Sequence, residues 1–178
     1  MKKELEVLCK IEEPEKEVWK KVKAMYHSKF KDTYFNYPDI CLRIRETDGT
    51  PLLTYKKDVY KNRKWLYSKE LETFVGEEMK TILEKIGFKP TVEIEMTKAF
   101  CKNGIEIQKV KGLGLFLEAE GKNRREIWQR IKKTGIKVSK ELNKGKPQMM
   151  WERDGNVQEV KNGENIWSFE TRLLEKRN

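Results

Sequence analysis

The sequence predicts an α+β fold in which an antiparallel β-barrel carries helices on its outer surface. Short segments of alternating character are interleaved with three amphipathic helices. In most of these segments one face is apolar, while the other carries charges of a single sign. A closed barrel would direct the charged faces into a lumen and leave the apolar faces for the helices to cover. An open sheet with helices on one side and a charged face in water fits the same pattern, which does not separate the two architectures.

The opening segment, residues 4–11, sets this pattern. Strict alternation places Leu5, Val7, Cys9 and Ile11 on one side and Glu4, Glu6 and Lys10 on the other. A strand with an acidic face is therefore predicted.

A short helix and a basic hairpin are predicted next. Pro14 marks a helix start, and the apolar stripe that follows comprises Val18, Trp19, Val22, Met25 and Tyr26. An aromatic strand over residues 32–37 leads into strands at 42–45 and 52–56, joined by a turn at Asp48-Gly49. Their basic residues alternate with apolar ones and comprise Arg43, Arg45 and Lys56.

The middle of the chain continues the alternation. A polar connection over residues 60–64 leads to a strand at 69–75, in which Glu70 and Glu72 share a face. A second helix follows Gly76 and ends at Gly87, which can adopt the left-handed conformation that terminates helices.

The second half contains the strongest turn signal. Asn103-Gly104 joins strands at 92–101 and 105–110, and a further strand at 115–120 places Glu118 and Glu120 on one face. Asn123 is a suitable N-cap for a third helix that ends before Gly135. One more strand is predicted near 148–152. We expect one domain over residues 1–152 and an extension over 153–178 that packs on it.

Composition restricts the partners and the compartment. The 178 residues contain 39 Lys and Arg against 29 Asp and Glu, a formal net charge of +10 that favours polyanionic partners. Three widely spaced cysteines without a CxxC pair, namely Cys9, Cys41 and Cys101, argue against a zinc site and for a reducing compartment. No apolar run is long enough to span a bilayer or to form a signal peptide, so we expect a cytoplasmic protein without membrane contact.

Several short motifs together resemble the CYTH superfamily. In order along the chain these are ELE (4–6), DTYFNYP (32–38), LRIR (42–45), LTYK (53–56), ELE (70–72) and GLGLFLEAE (112–120). The superfamily is that of the triphosphate tunnel metalloenzymes, which includes class IV adenylyl cyclases, thiamine triphosphatases and inorganic tripolyphosphatases. The tyrosine-rich stretch and the GLGLFLEAE motif look most similar to the class IV cyclase branch. The resemblance implies an antiparallel barrel whose open tunnel binds a triphosphate, such as ATP or tripolyphosphate, together with Mg²⁺ or Mn²⁺.

The resemblance also implies roles for individual residues. The metal ligands would be Glu4, Glu6, Glu118 and Glu120, with Glu106 as a further acid. The phosphate ligands would be Arg43, Arg45, Lys56 and Lys98. The catalytic residues would be Glu70, Glu72 and Lys10, where the two glutamates orient the bases or hold a second metal. Carboxylates suit hard divalent cations, and arginine can bind two phosphate oxygens at once.

The chain departs from the family pattern at three places. The family motif is Glu-x-Glu-x-Lys, and this chain has Leu8 in place of the lysine at the fifth position. Lys10 is one candidate for the missing base. Glu93 and Glu95 stand where a basic strand is usual, although on their own they are typical of solvated strand residues. Gln108 replaces an acid, and Glu106 faces the same way.

Two functions therefore remain open. The first is a metal-dependent cyclase or triphosphatase, and the second is a non-catalytic barrel that binds polyphosphate, nucleotide or RNA without turnover. Nucleic acid is expected as a partner only under the second reading. The sequence leaves open whether the chain forms a homodimer.

Overall fold

The computed structural model describes residues 2–61 and 64–156, without the side chains of residues 2–4, 60–61 and 64–65. Its β-strands are β1 (Lys2–Glu4), β2 (Glu6–Ile11), β3 (Ala24–Phe35), β4 (Cys41–Glu46), β5 (Leu52–Lys61), β6 (Lys64–Phe74), β7 (Pro90–Cys101), β8 (Ile105–Val110), β9 (Gly114–Glu120) and β10 (Val138–Glu141). Its α-helices are α1 (Glu15–Lys21), α2 (Met79–Lys85), α3 (Arg124–Thr134) and α4 (Lys146–Arg153).

All of the strands belong to one antiparallel sheet of order β1-β6-β5-β4-β3-β7-β8-β9-β2-β10. β5 and β2 lie six places apart in this order, which would separate them by roughly 29 Å in a flat sheet. Instead, Lys56 of β5 approaches Glu6 of β2 to 3.4 Å. The sheet is therefore strongly curled, and the face that carries these charges is concave.

The predicted α+β class and antiparallel sheet are confirmed, but hydrogen-bonded closure is not. The opening segment pairs with β6 through β1 and with β9 through β2, so the backbone at Leu5 links the two sides of the curl. Among the described strands, no ladder joins the two ends of the strand order. A closed barrel is thus not confirmed.

Three helices cover the convex face, as predicted. α1 and α3 pack through Val18, Ile127 and Ile131 on the apolar side chains of β2, β7, β8 and β9. α2 packs through Leu83 on β3 and β4. Helix α3 begins where expected, because Asn123 Oδ1 accepts a hydrogen bond from the Glu126 N–H at 2.9 Å, and it ends at Gly135 with φ of 67°.

The fourth helix contradicts two expectations. Residues 146–153 form α4, whereas a strand was predicted near 148–152. This helix also packs against the concave face, where Met150 contacts an apolar set formed by Leu8, Tyr34, Tyr37, Val92, Ile94, Met96, Val110 and Phe116. The apolar half of the concave face is this set together with Met150. The prediction that all helices lie outside the sheet was wrong because the inner face is not charged throughout.

Other boundaries differ from the sequence prediction. Helix α1 ends at Lys21, and Met25 and Tyr26 belong to the long strand β3. β5 and β6 extend to Lys61 and from Lys64, so the connection expected over 60–64 is reduced to residues 62–63, which lie outside the described residues. Most of the predicted C-terminal extension, residues 157–178, also lies outside them. None of the described helices combines the length and the apolar character that crossing a membrane requires.

Candidate functional site

Acidic and basic side chains from eight strands and α4 meet on the remainder of the concave face. This charged cluster consists of Glu6, Asp32, Arg43, Arg45, Lys56, Glu70, Glu72, Lys98, Glu106, Glu118 and Lys146. Period-two alternation along each strand brings these residues to one face. The cluster therefore contains six carboxylates and five cations, linked through a series of ion pairs.

Two arginines of β4 share one aspartate. Arg45 donates from Nε and Nη2 to the two carboxylate oxygens of Asp32, each at 2.7 Å. Arg43 Nη1 lies 3.5 Å from Asp32 Oδ2. Burial alone would raise the pKa of the fully buried Asp32, but the hydrogen bond from Arg45 and the charges of both arginines outweigh burial and lower it. Asp32 is thus an internal counter-ion for both guanidinium groups.

Arg43 keeps one donor in reserve. Its Nη2 donates to Thr54 Oγ1 at 2.9 Å and lies 3.5 Å from Glu72 Oε1, which also accepts a hydrogen bond from Thr54. Its Nε is buried and has no hydrogen-bond partner among the described residues. A buried guanidinium N–H without an acceptor is costly, so this nitrogen is a ready donor for an anion in the cluster.

Lys56 is held by two acids. Its Nζ lies 2.7 Å from Glu70 Oε1 and 3.4 Å from Glu6 Oε1. Burial opposes the charged ammonium, but Glu6 and Glu70 outweigh this and raise the pKa of Lys56 well above its usual range. For Glu6 burial dominates, and it raises the pKa of this carboxyl despite Lys56.

A second group joins β7, β8 and β9 to α4. Lys98 Nζ lies 2.8 Å from Glu106 Oε2 and 3.8 Å from Glu118 Oε1. Lys146, the first residue of α4, places its Nζ 2.6 Å from both Glu118 Oε2 and Gln108 Oε1. Burial would raise the pKa of Glu118, but the ammonium groups of Lys146 and Lys98 hold it below its ordinary range. Burial lowers the pKa of Lys146 in turn, and the attraction of Glu118 offsets this only in part.

The structure brings together nine of the predicted site residues, namely Glu6, Arg43, Arg45, Lys56, Glu70, Glu72, Lys98, Glu106 and Glu118. It does not bring Lys10 there, since this side chain is exposed and its register partner on β9 is Phe116. Glu120 is exposed at the end of β9, in register with Glu6. The side chain of Glu4 lies outside the described residues.

Sequence reasoning missed Asp32 and Lys146. Asp32 lies in a quoted motif, but its pairing with Arg45 depends on the register of β3 and β4, which alternation does not give. For Lys146 the signal was Gly145-Lys146-Pro147, because a proline in the first turn is typical of a helix start. Once α4 is a helix, Lys146 and Met150 share a face, and the contact of Met150 with the apolar half carries Lys146 toward the sheet.

Glu93 and Glu95 lie outside the charged cluster. Both are exposed, and they pair with lysines of the outer surface: Glu93 with Lys31 at 3.3 Å, and Glu95 with Lys111 at 2.8 Å. The positions beside them on β7 that face inward are Ile94 and Met96, both in the apolar half. The interpretation of these glutamates as solvated strand residues agrees with this placement.

Carboxylates face each other across the ladder at two places, Glu106 opposite Glu118 and Glu6 opposite Glu120. Like charges in this arrangement repel unless a cation lies near them. Lys98 and Lys146 supply that cation for Glu106 and Glu118. In the part of the chain that the structure describes, no three Asp, Glu, His or Cys side chains are grouped closely enough to hold a metal ion.

A curled antiparallel sheet, with helices on its convex face and both acids and bases on its concave face, is the architecture that the sequence resemblance implied. Comparison with known proteins agrees with this resemblance. The CYTH domain family profile matches residues 2–148. A protein of Methanocaldococcus jannaschii named "Putative adenylate cyclase MJ0240" is 36% identical over 132 residues, which cover 66% of this chain and 75% of the relative. The chain belongs to the CYTH domain family.

Solved structures share the fold. The PH1819 protein from Pyrococcus horikoshii OT3 matches with a TM-score of 0.61 at 24% identity, over 84% of this chain and 99% of that one. HpAC1 from Hippeastrum matches with a TM-score of 0.55 at 12% identity, over 90% of this chain and 100% of that one. HpAC1 is described as a "Putative adenylyl cyclase" with a dominant triphosphatase activity. At these identities the two likenesses concern the fold alone.

Proposed function

We propose that this protein is a metal-dependent triphosphate-processing enzyme, which cyclises a nucleoside triphosphate or hydrolyses a nucleoside triphosphate or inorganic tripolyphosphate. The observation that carries the proposal is the gathering of Arg43, Arg45, Lys56, Lys98 and Lys146 on one concave face with six carboxylates. In this proposal the curled sheet encloses the charged cluster as a tunnel. The name of the M. jannaschii relative and the activity described for HpAC1 give cyclase and triphosphatase as the two activities to compare.

The arginine side of the cluster binds the phosphate chain. Arg43 has the unpartnered Nε, and the guanidinium planes of Arg43 and Arg45 can each bind two phosphate oxygens. Asp32 fixes the orientation of Arg45 before substrate arrives. Lys56 adds a point charge whose position Glu70 and Glu6 set. Because these cations are positioned in advance, little reorganisation is needed as charge develops on the phosphates.

The opposite side is suited to a divalent cation. Glu6, Glu118 and Glu120, with Glu106 beside them and Glu4 as a further candidate, offer the oxygen donors that Mg²⁺ and Mn²⁺ prefer, and a metal ion would take over the neutralisation that Lys56, Lys98 and Lys146 give to Glu6, Glu106 and Glu118. A bound Mg²⁺ or Mn²⁺ would neutralise phosphate charge and polarise the phosphoryl oxygens. Lys98 and Lys146, which now neutralise Glu106 and Glu118, would then be released to contact phosphate oxygens.

The two activities differ in nucleophile and target. In cyclisation the ribose 3′-hydroxyl attacks the α-phosphorus in line and pyrophosphate leaves, whereas in hydrolysis water attacks the terminal phosphorus. Both require positioning and charge stabilisation rather than covalent chemistry by the protein, so the same cluster can serve either. Three free cysteines, two of them buried, suit a reducing compartment, and we propose the cytoplasm.

Product analysis tests the proposal directly. The protein is incubated with ATP or tripolyphosphate and either Mg²⁺ or Mn²⁺. Cyclic AMP identifies a cyclase, and phosphate release identifies a triphosphatase. If neither product forms, the proposal that this protein is an enzyme is wrong. We expect Glu6→Gln to lower turnover at least about 100-fold, because the change removes a carboxylate beside Lys56 and opposite Glu120.

A matched control uses the same substitution on the other face of the sheet. Glu93→Gln removes an exposed carboxylate that pairs with Lys31 and Lys80 and accepts a hydrogen bond from Thr33, all away from the charged cluster, so turnover should stay within about twofold. Thermal unfolding of both variants checks that they are folded. Equal turnover in the Glu6 and Glu93 variants would show that Glu6 has no role in catalysis.

A non-catalytic polyanion binder is the second candidate, and one observation favours it. Glu106 and Glu118, which the enzyme would use for metal, are already paired with Lys98 and Lys146. Binding of tripolyphosphate or RNA without metal, with an affinity that falls steeply as salt rises, would support this candidate. Binding that requires Mg²⁺ or Mn²⁺ would support the enzyme.

A further inference from the structure

Three aromatic side chains lie beside the charged cluster on β3 and β7. Tyr26 stacks on Phe100, with ring centroids 4.5 Å apart and an interplanar angle of 17°. Phe30 meets the Phe100 ring edge-on at 6.3 Å. The order of the aromatic stack is therefore Phe30, Phe100, Tyr26, and it ends at Tyr26.

The aromatic stack is continuous with the phosphate-binding cations. The Phe30 ring centroid lies 5.1 Å from Arg45 Cζ and 5.6 Å from Lys98 Nζ, within the range of cation–π contact. Phe100 is in register with Glu106 across the β7–β8 ladder. The aromatic stack therefore leads directly away from the charged cluster.

Tyr26 and Phe100 also line a half-open cavity of about 620 Å³. The acids Glu106, Glu118 and Glu120 line the same cavity. Its volume falls in the usual range for small-molecule sites, roughly 300–1,000 Å³. Tyr26 is nevertheless 55% exposed and the adjacent Met25 is 59% exposed, so Phe100 leaves much of the Tyr26 ring accessible. An exposed ring at the wall of a cavity that also contains the proposed metal ligands is a surface for a flat ligand.

We propose that Tyr26 binds a nucleobase by stacking, and that the substrate class is a nucleoside triphosphate rather than inorganic tripolyphosphate. The inference rests on the proposed function, because it assigns the organic part of a ligand whose phosphates bind the charged cluster. Stacking requires only a planar π-face, so Tyr26 favours any base over none and does not itself select adenine. Base selection would need polar contacts.

Binding measurements test this inference separately from turnover. Dissociation constants for ATP and for tripolyphosphate, each used as a methylene-bridged analogue that cannot be cleaved, are measured by calorimetry with Mg²⁺ on the wild-type protein, Tyr26→Ala and Tyr26→Phe. We expect Tyr26→Ala to weaken ATP binding about tenfold and to change tripolyphosphate binding less than twofold. Tyr26→Phe retains the ring and should restore ATP binding to within about twofold.

The control is Phe74→Ala, which removes another exposed ring, 73% accessible on β6, that does not line the cavity. This variant should bind both ligands as the wild type does. If Tyr26→Ala weakens both ligands equally or neither, the stacking inference is overturned while the proposed function stands. If the wild type binds neither ligand, the proposed function and the inference both fail. Thermal unfolding shows whether each variant is folded.

Discussion

The two halves of the concave face differ completely in chemistry although five strands contribute to both. On β2 the charged Glu6 is followed two residues later by the apolar Leu8. The same change from charged or polar to apolar occurs at Asp32/Tyr34, Lys98/Met96, Gln108/Val110 and Glu118/Phe116. The border therefore runs across five strands, between inward-facing neighbours. One end of the concave face is therefore a packed apolar core, and the other end is the charged cluster.

This border gives Leu8 a physical role. Leu8 packs with the apolar half, and its register partner Glu118 lies on the charged side. A lysine at position 8 would have to bury its aliphatic chain in that core and extend its ammonium to Glu118. Lys146 reaches the same carboxylate from α4 instead. We propose that Lys146, on another element, supplies the base that is missing from the opening motif, and the exposed position of Lys10 agrees with this.

Asp32→Asn should have the largest effect, because it would leave the two buried guanidinium groups of Arg43 and Arg45 without their shared counter-ion. We expect a loss of about 3–5 kcal/mol in the free energy of unfolding, measured with urea. Because the pKa of Asp32 is lowered in the folded state, its stabilisation is present above the usual aspartate pKa of about 3.9 and is lost as pH falls below it. The variant should therefore lose less stability on acidification than the wild type does.

An added anion provides the internal check for this variant. If the arginines bind phosphate, tripolyphosphate should raise the unfolding temperature of Asp32→Asn more than that of the wild type, since it takes the place of the lost carboxylate. An equal rise in both proteins would show that Asp32 and phosphate do not share these arginines.

Lys146 crosses the border between the two halves, and a charge relocation tests its role. Lys146→Met leaves Lys98, at 3.8 Å, as the ion-pair partner of Glu118 among the described residues, and should cost about 3 kcal/mol of stability as well as most of the turnover. Adding Leu8→Lys returns a cation to the register partner of Glu118, so the double variant should be more stable and more active than Lys146→Met alone.

The matched control for Lys146 lies on the same segment. Lys144→Met removes an exposed lysine that pairs with Glu152 and should change little. Independent, additive effects of Leu8→Lys and Lys146→Met would contradict the view that one cation stands in for the other.

How much of the fold and of the site could be predicted from the sequence depends on whether each feature rests on local or on long-range interactions. Alternation is local, so the faces of Arg43, Arg45, Glu70, Glu72 and Glu118 could be read directly, and so could the turn at Asn103-Gly104, where both residues have positive φ. The border between the charged and the apolar half could not be predicted in this way. An apolar residue on a charged strand face can be interpreted only when the element that packs on it is known. That element is α4, which is eight residues long with Pro147 in its first turn, and a segment this short shows too little periodicity to distinguish it from a strand.

Met150→Ala tests the apolar half and should have the smallest effect of the three changes. Met150 is buried in the apolar half, so truncation leaves a cavity and should lower the free energy of unfolding by about 2 kcal/mol, at the low end for such changes because a short helix can shift to fill space. Ile86→Ala, which truncates a side chain that is 66% exposed on the convex face, should cost less than about 0.5 kcal/mol.

Because Lys146 and Met150 lie on one helix, loosening Met150 should also let the Lys146 ammonium move from Glu118. We therefore expect a two- to fivefold loss of turnover that Ile86→Ala does not show. A stability loss with full turnover would mean that the charged site and its apolar cover act independently.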